Sequence, residues 1–174
     1  HFVFDKTGTL TSGHMRLIDA LCLRADVPRE RCLALAAALE QASEHPLAQA
    51  LRTAQAGVDL PPVSEAVSVP GQGIAGEIAG QMYRIGRPAY ALAESGQQLP
   101  PAAEAWLESG DTVVLLADAA GALALFRIGD ELRPEARGLI DRLRAYGKEV
   151  VLLTGDAPAV AARVAAALGI RAVH

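Results

Sequence analysis

A short apolar run at the start of the chain ends in a carboxylate that lysine, threonine and glycine follow at once. Phe2-Val3-Phe4 predicts a strand, and the next residues are Asp5-Lys6-Thr7-Gly8-Thr9-Leu10-Thr11. A carboxylate in this position can attack a phosphoryl group and hold it as an acyl phosphate. The lysine, the hydroxyls and the backbone N–H groups of the glycine turn can bind phosphate oxygens. The motif therefore predicts phosphoryl transfer with Asp5 as nucleophile.

A second candidate phosphate site, Thr154-Gly155-Asp156, follows an apolar run at 150–153 and precedes a predicted helix that begins at Pro158. A helix N-terminus offers unpaired N–H groups and a favourable dipole to a phosphate. Asp156 could instead be a helix N-cap, with Thr154 as a turn residue. Because the Asp5 motif stands upstream in the same chain, we favour the phosphate site.

Two further motifs lie between these segments. Ser43-Glu44-His45-Pro46 interrupts two predicted helices, where a histidine can be purely structural. Residues 71–76 read Gly-Gln-Gly-Ile-Ala-Gly. As a dinucleotide fingerprint this pattern is weak, because the residues after it alternate like a strand and do not begin a helix. A glycine-rich strand crossing or bulge is the alternative.

In their order, these motifs resemble those of the heavy-metal-transporting P-type ATPases, a branch of the haloacid-dehalogenase-like superfamily. Such ATPases pass through an aspartyl-phosphate. The resemblance implies that Asp5 is phosphorylated while Lys6 and Thr154 stabilise the transferring charge. Soluble phosphatases of the superfamily usually carry an acid/base Asp two residues after the nucleophile, where this chain has Thr7. The acyl phosphate should therefore persist, as a pump requires.

The resemblance also implies a set of ligands for ATP and Mg²⁺. Glu40 and His45 would contact adenine, with Glu44 supporting His45. The other implied nucleotide ligands are Gly71, Gly73, Ile74, Gly86, Thr154, Gly155 and Asp156. Mg²⁺ would bind the Asp5 carboxylate, the Thr7 carbonyl and a third carboxylate beyond His174. Many members have Asn where this chain has Arg87, and Asp130 and Arg133 could lie near the phosphates or simply begin a helix.

Hydrophobic periodicity predicts an α/β fold in two parts. Helices are predicted at 28–42, 46–56, 88–94, 101–108, 134–146 and 158–168, and strands at 2–4, within 63–87, at 112–117, 122–128, 149–153 and 170–173. The closing helix–strand alternation predicts a parallel sheet that includes the first strand. Residues 1–14 and 129–174 are thus expected to form a discontinuous, partial haloacid-dehalogenase-like phosphorylation domain. Residues 15–128 would form an inserted α+β nucleotide-binding domain with an antiparallel sheet.

Composition excludes some partners. The 174 residues are 51% apolar and carry a formal charge of −4, which argues against nucleic acid or an anionic membrane as the main partner. Cys22 and Cys32 lack CxxC spacing and are interpreted as reduced, small apolar residues of a cytosolic protein. No apolar stretch is long enough to span a membrane. Since the first strand starts almost at His1, we expect a soluble piece of a longer protein.

The resemblance implies the ATP-binding and phosphorylation portion of a bacterial membrane ATPase that exports Cu⁺ and lies at the cytoplasmic face of the inner membrane. Its partners would be ATP, the actuator, membrane and metal-binding domains of the parent chain, and a copper chaperone. Domain closure would bring the γ-phosphate to Asp5. The chain alone is expected to bind ATP weakly and to be catalytically incomplete. The alternatives are a zinc or cadmium exporter, a soluble phosphatase and a non-catalytic nucleotide-binding module.

Overall fold

A computed structural model describes residues 1–107 and 111–174, which fall into two compact units. The discontinuous unit comprises His1–His14, Asp111 and Asp130–His174. The inserted unit comprises Met15–Leu107 and Thr112–Gly129. The predicted helix at 101–108 ends at Glu108, which lies outside the described residues.

Nine strands and six helices are assigned in the described residues. The strands are β1 (Phe2–Asp5), β2 (Thr11–Cys22), β3 (Ser64–Val69), β4 (Gly73–Ile78), β5 (Gln81–Gly86), β6 (Thr112–Asp118), β7 (Gly121–Leu132), β8 (Val150–Leu153) and β9 (Ala172–Val173). The helices are α1 (Arg29–Leu39), α2 (Pro46–Ala54), α3 (Pro88–Ala91), α4 (Pro101–Leu107), α5 (Ala136–Ala145) and α6 (Pro158–Leu168). Between β1 and β2, Lys6–Leu10 forms a wide turn.

The discontinuous unit is built on a parallel sheet with strand order β1-β8-β9. In its register, Asp5 lies opposite Leu153, so β1 and β8 end at the same edge. Ile140 of α5 and Leu168 of α6 pack with Leu10 and Leu152 in its core. The Ile170 N–H donates to the Ala165 carbonyl (2.8 Å). This bond closes the end of α6, so the last strand begins two residues later than predicted.

The inserted unit is built on a six-stranded sheet of order β2-β7-β6-β5-β4-β3, in which neighbours from β7 to β3 pair antiparallel. Alternate side chains of β6 serve two cores. Leu116 packs in the core that contains α1 and α2, whereas Leu115 packs in the core that contains α3 and α4. The sheet is therefore covered by helices on both faces, as period-2 alternation requires.

The observed architecture confirms the predicted fold class, a parallel α/β sheet with a separate α+β insertion. Residues 73–78 form a strand, which confirms the strand interpretation of the glycine-rich motif. Ala79 (φ +52°) and Gly80 (φ +78°) form the tight turn to β5, in agreement with the two positive φ values of a type I′ hairpin. The prediction missed β2 entirely. It also ended the second strand of the 112–128 hairpin at 128, whereas β7 continues to Leu132, so α5 begins later than expected.

Candidate functional site

The turn after β1 presents the nucleophile candidate to solvent. Asp5 and Thr7 are both exposed, and the backbone leaves helical geometry at Thr7 (ψ 121°) and Gly8 (φ +76°). A positive φ favours glycine, because a side chain there would be strained. A Cβ added at Gly8 would meet no heavy atom within 4 Å. The turn therefore offers exposed backbone beside an exposed carboxylate.

Lys6 is the one buried polar side chain of this turn that points toward the second phosphate-site motif. Its Nζ forms an ion pair with Asp156, and the two side chains are 11% and 30% exposed. The Asp156 N–H donates to the Thr154 Oγ1 (3.2 Å). Because β1 and β8 are parallel neighbours, Lys6 and Thr154 follow strand ends at one edge of the sheet. Ligands of open α/β sheets bind at such edges.

The turn is tied down by a buried threonine that the sequence did not single out as a positioning group. Thr11 is 1% exposed. Its hydroxyl accepts a hydrogen bond from the Gly8 N–H (3.1 Å) and donates to the Asp130 carboxylate, and the Lys6 carbonyl lies 3.0 Å away as a second acceptor. The Gly13 N–H donates to the other oxygen of Asp130 (2.8 Å). Asp130 thus holds both ends of the segment 11–13.

Arg133 completes the support from the same stretch of chain. Its Nε donates to the Thr11 carbonyl and its Nη2 to the Gly8 carbonyl, both at 3.1 Å. Its backbone N–H donates to the Leu10 carbonyl (2.9 Å). The sequence allows phosphate contacts or a plain helix start for Asp130 and Arg133. The structure gives these residues a third role, since Arg133 binds backbone carbonyls of the Asp5 turn and Asp130 binds Thr11 and Gly13 just after it.

In the inserted unit, Glu40 follows the last residue of α1 and is 8% exposed. Burial raises the pKa of its carboxyl group. A hydrogen bond from Ser43 and then electrostatic interactions with nearby His45 and Arg52 oppose that shift. The structure thus brings Glu40 close to His45, as the proposed adenine contact requires.

His45 is both structural and exposed. It is the N-cap of α2, and its Nδ1 accepts a hydrogen bond from the Leu47 N–H (3.2 Å). A neutral imidazole that accepts at Nδ1 carries its proton on Nε2. The capping bond therefore satisfies the structural alternative for this residue and still leaves an outward-facing ring with an N–H donor. Pro46 at the first helical position fits the same helix start.

The predicted glycine ligands have a structural reason of their own. Gly73 lies opposite Gly86 in the β4–β5 register. A Cβ at Gly73 would lie 2.1 Å from the Ile85 oxygen, and one at Gly86 would lie 2.2 Å from the Gln72 oxygen. Close approach of two strands therefore requires both glycines, independently of any ligand.

The remaining members of this group differ in what they can offer. Gly71 adopts φ +71°, and a Cβ there would meet nothing within 4 Å. Ile74 is 8% exposed and packs in the core, so its side chain is not available to a ligand. Arg87 is exposed and is the N-cap residue of α3, and its N–H donates to the Gln72 carbonyl (2.8 Å). Among Gly71, Gly73 and Gly86, only Gly71 thus has open space next to exposed backbone.

A cavity of about 180 Å³ lies elsewhere in the inserted unit. Arg24, Arg31, Tyr83 and Asp118 are among its lining residues. None of the predicted nucleotide ligands lines it.

The donor atoms near Asp5 suit a hard cation in part. Mg²⁺ prefers oxygen ligands and commonly keeps waters and substrate phosphates beside one or two carboxylates. The exposed Asp5 carboxylate and the Thr7 carbonyl provide two such oxygens. Within 1–107 and 111–174, no group of three or more His, Cys, Asp or Glu side chains could hold a metal ion. Two oxygens from this turn would therefore leave the other positions around such a cation to further ligands.

The chain matches the family described as haloacid dehalogenase-like hydrolase over residues 1–173. The chain belongs to that family. The match spans both units, including the inserted one. In the part of the chain that the structure describes, every helix is too short or too polar to cross a membrane.

The curated relatives are metal-transporting P-type ATPases. The probable copper-transporting ATPase SynA of Synechococcus sp. is 42% identical over 172 residues, which cover 98% of this chain and 21% of that protein. The manganese-exporting P-type ATPase of Mycobacterium bovis is 37% identical over 175 residues, which cover 97% of this chain and 24% of that protein. This chain therefore spans less than a quarter of each relative.

A solved structure agrees over the whole length. The zinc-transporting PIB-type ATPase crystallised in its E2.Pi state superposes with a TM-score of 0.83 at 34% identity. The superposition covers 100% of this chain and 28% of that one. The resemblance to heavy-metal P-type ATPases, inferred from four short motifs, is confirmed.

Proposed function

We propose that this chain is the ATP-using segment of a P-type ATPase and that Asp5 accepts the γ-phosphoryl group. One observation carries the proposal. The exposed carboxylate ends β1 beside β8, and the next side chain, Lys6, is paired with Asp156 from the loop after β8. Sequence motifs that are 150 residues apart thus meet at one sheet edge. Their groups are a nucleophile, a cation and a hydroxyl, which are the parts that phosphoryl transfer needs.

The transfer follows from these groups. A carboxylate oxygen of Asp5 attacks the γ-phosphorus, the bond from that phosphorus to the β,γ-bridging oxygen breaks, and ADP leaves with the bonding electrons. The product is an acyl phosphate on Asp5. Lys6 and the Thr154 hydroxyl stabilise charge on the transferred oxygens, and the barrier falls mainly through positioning and electrostatics. The Asp5 carboxylate and the Thr7 carbonyl would hold Mg²⁺, which would neutralise phosphate charge when bound.

Thr7 favours a pump over a phosphatase. An acyl phosphate is hydrolysed quickly when an acid/base group activates water, and a threonine hydroxyl cannot take that role at neutral pH. The phosphorylated state would then last long enough to drive a conformational change. Fast release of phosphate from small phosphoesters would support the phosphatase alternative.

The inserted unit would hold the adenine. The Glu40 carboxylate accepts hydrogen bonds and the exposed His45 ring donates one, which complements an adenine edge with an amino donor and ring-nitrogen acceptors. Backbone at Gly71 and Gly73 would approach the nucleotide, with Gly86 supporting Gly73 and with Gly155 near the phosphates. The division at residues 14 and 129 into phosphorylation and nucleotide-binding domains belongs to this proposal.

The cargo is proposed to be Cu⁺, because a copper-transporting relative is 42% identical whereas the manganese exporter is 37% identical. Zinc is the main competing cargo, given the zinc-transporting structural neighbour. The intact protein would lie in the bacterial inner membrane with this segment on the cytoplasmic face. Actuator, membrane and metal-binding domains, and a copper chaperone, would be its partners.

The test is acid-stable labelling of the intact protein that carries this segment, using ATP labelled with ³²P at the γ-phosphate. Asp5→Asn should abolish the label, because an amide cannot form the acyl phosphate. Asp59→Asn is the matched control, since Asp59 is an exposed aspartate of the inserted unit, and it should retain full labelling. Labelling that survives Asp5→Asn would exclude Asp5 as the nucleophile.

A further inference from the structure

Arg52, in the last turn of α2, makes two hydrogen bonds that no motif predicts. Its Nη1 donates to the Glu40 carbonyl (2.6 Å) and also to the Ser43 carbonyl. The two acceptors lie 12 and 9 residues earlier in the chain. One guanidinium nitrogen carries two hydrogens, so both bonds form at once. Arg52 therefore bridges two points of the connection between α1 and α2.

The position of these carbonyls makes the bridge important. The last carbonyls of a helix have no partner within the helix, and a cation there also interacts favourably with the helix dipole. Glu40 is the C-cap of α1, and its carbonyl also accepts from the Ser43 N–H (3.1 Å). Arg52 thus holds a tight turn at the end of α1, and does so with charge-assisted hydrogen bonds, which are stronger than neutral ones.

Ser43 connects Arg52 to both proposed adenine ligands, Glu40 and His45. Its Oγ accepts a hydrogen bond from the His45 N–H (3.3 Å). Its hydroxyl also lies close enough to the buried Glu40 carboxylate to oppose the rise in the pKa of that group. The backbone of Ser43, held by Arg52, thus carries a side chain that contacts Glu40 on one side and His45 on the other.

We propose that Arg52 is a positioning residue for adenine recognition, which fixes the separation and orientation of the Glu40 carboxylate and the His45 imidazole. The inference rests on the proposed function of those two residues. Adenine and guanine differ at the six position, where an amino donor is replaced by a carbonyl acceptor. A fixed carboxylate beside a fixed N–H donor can distinguish them, whereas a mobile pair distinguishes them poorly.

The test compares ATP and GTP affinities of the 174-residue chain by titration calorimetry. Arg52→Gln should weaken ATP binding about tenfold, the expected loss for one charged hydrogen-bonding group, and should change GTP binding far less. Arg52→Lys keeps the charge and a donor, so it should recover part of the discrimination. Arg31→Gln is the matched control, since Arg31 is an exposed arginine of α1, and it should leave both affinities unchanged.

Two controls separate the possible outcomes. His45→Gln should weaken ATP binding, and unchanged affinity would overturn the proposed adenine site itself. If His45→Gln weakens binding but Arg52→Gln leaves the ATP-to-GTP ratio intact, the positioning role alone is overturned. Equal losses for ATP and GTP together with a lower Tm would show a structural role only. If Arg52→Gln fails to fold, Arg52→Lys carries the same comparison.

The imidazole of His45 gives a second readout. Its Nδ1–Leu47 bond predicts a single Nε2–H tautomer, which ¹⁵N spectra of the ring distinguish from the other form. Arg52→Gln should produce an averaged ring signal while the amide signals of α2 stay in place. An unchanged ring signal would contradict the positioning role.

Discussion

The turn after Asp5 and the loop between α1 and α2 are both held by hydrogen bonds, but the partners lie at very different distances along the sequence. Each is an exposed segment that must hold functional side chains still. The Asp5 turn is held by Asp130 and Arg133, whose partners lie 117 to 125 residues away in the chain. The α1–α2 loop is held by Arg52, whose partners lie 9 and 12 residues away.

The difference concerns what each segment depends on. Non-local hydrogen bonds form only when distant parts of the chain have already come together. The geometry of the Asp5 turn therefore depends on the complete fold of its unit. The α1–α2 loop depends mainly on one helical hairpin. We therefore expect damage to the first support to affect stability and chemistry together, and damage to the second to affect binding alone.

The largest effect is expected for Asp130→Ala. This change removes the carboxylate that accepts from the buried Thr11 hydroxyl and from the Gly13 N–H, and the loss of a hydrogen bond to a charged group costs about 1.5–3 kcal/mol. We expect a Tm drop of several degrees in thermal unfolding of the chain and a strong loss of ³²P labelling in the intact protein.

Asp141→Ala is the control for that change. Asp141 is exposed and pairs with Arg137 one helical turn away, so its loss should cost less than about 0.5 kcal/mol. If Asp130→Ala unfolds at the same temperature as Asp141→Ala, the contrast between the two supports disappears.

A smaller effect is expected from Glu40→Gln, and it depends on pH. Because burial raises the pKa of Glu40, the folded chain holds this proton more tightly than the unfolded chain does. The contribution of this group to stability is therefore complete below its ordinary pKa of 4.5 and is lost as pH rises through the folded value. Glu40→Gln should remove this pH-dependent loss of stability, and it should also weaken ATP binding.

Urea unfolding at pH 5 and pH 7 checks this expectation. Between these two pH values, the free energy of unfolding should fall less, or rise more, for the variant than for the unmodified chain. Parallel changes in the two proteins would show that Glu40 titrates as it does in the unfolded state.

The smallest effect is expected in the alkylation of the two cysteines. It tests whether α1 stays folded when Arg52→Gln loosens the loop between α1 and α2. Burial and the neighbouring Cys22 thiol raise the pKa of Cys32, in α1, to about 11. At pH 8 an alkylating agent should therefore modify Cys22, which is partly exposed, and not Cys32. In Arg52→Gln the protection of Cys32, followed by mass spectrometry, should persist. Rapid alkylation of Cys32 there would mean that α1 itself had opened.

The sequence was sufficient to predict the helices and strands that have strong local sequence patterns. Pro158 and Gly169 bracket α6 as predicted, and the alternation after Gly73 identified β4. By contrast, β2 carries Gly13 and charged residues without a regular alternation, and its neighbour in the sheet is β7, more than 100 residues later. A strand whose pattern is set by so distant a partner leaves little local signal.

The same limit applies to the site. Asp5, Lys6 and Thr154 could be found because residue type and order indicate their chemistry. Thr11, Asp130 and Arg133 could not be connected, since only the folded chain brings their atoms together. Arg52 was overlooked for another reason. Its acceptors are backbone carbonyls, which every residue has, so no residue type marks them. Gly73 and Gly86 were noticed, but strand packing explains them before any nucleotide does.

The hydrogen bond between the Gly13 N–H and Asp130 affects how far the inserted unit can be altered. It joins the two chain segments that enter and leave the insertion, so the ends of the inserted polypeptide are already closed by the scaffold that carries the nucleophile. The entropy cost of closing an inserted segment grows only slowly with the length of that segment. We therefore expect the insertion to tolerate changes in its length. Its replacement by a brief Gly-Ser bridge is expected to leave a small autonomous domain with the turn around Asp5 intact.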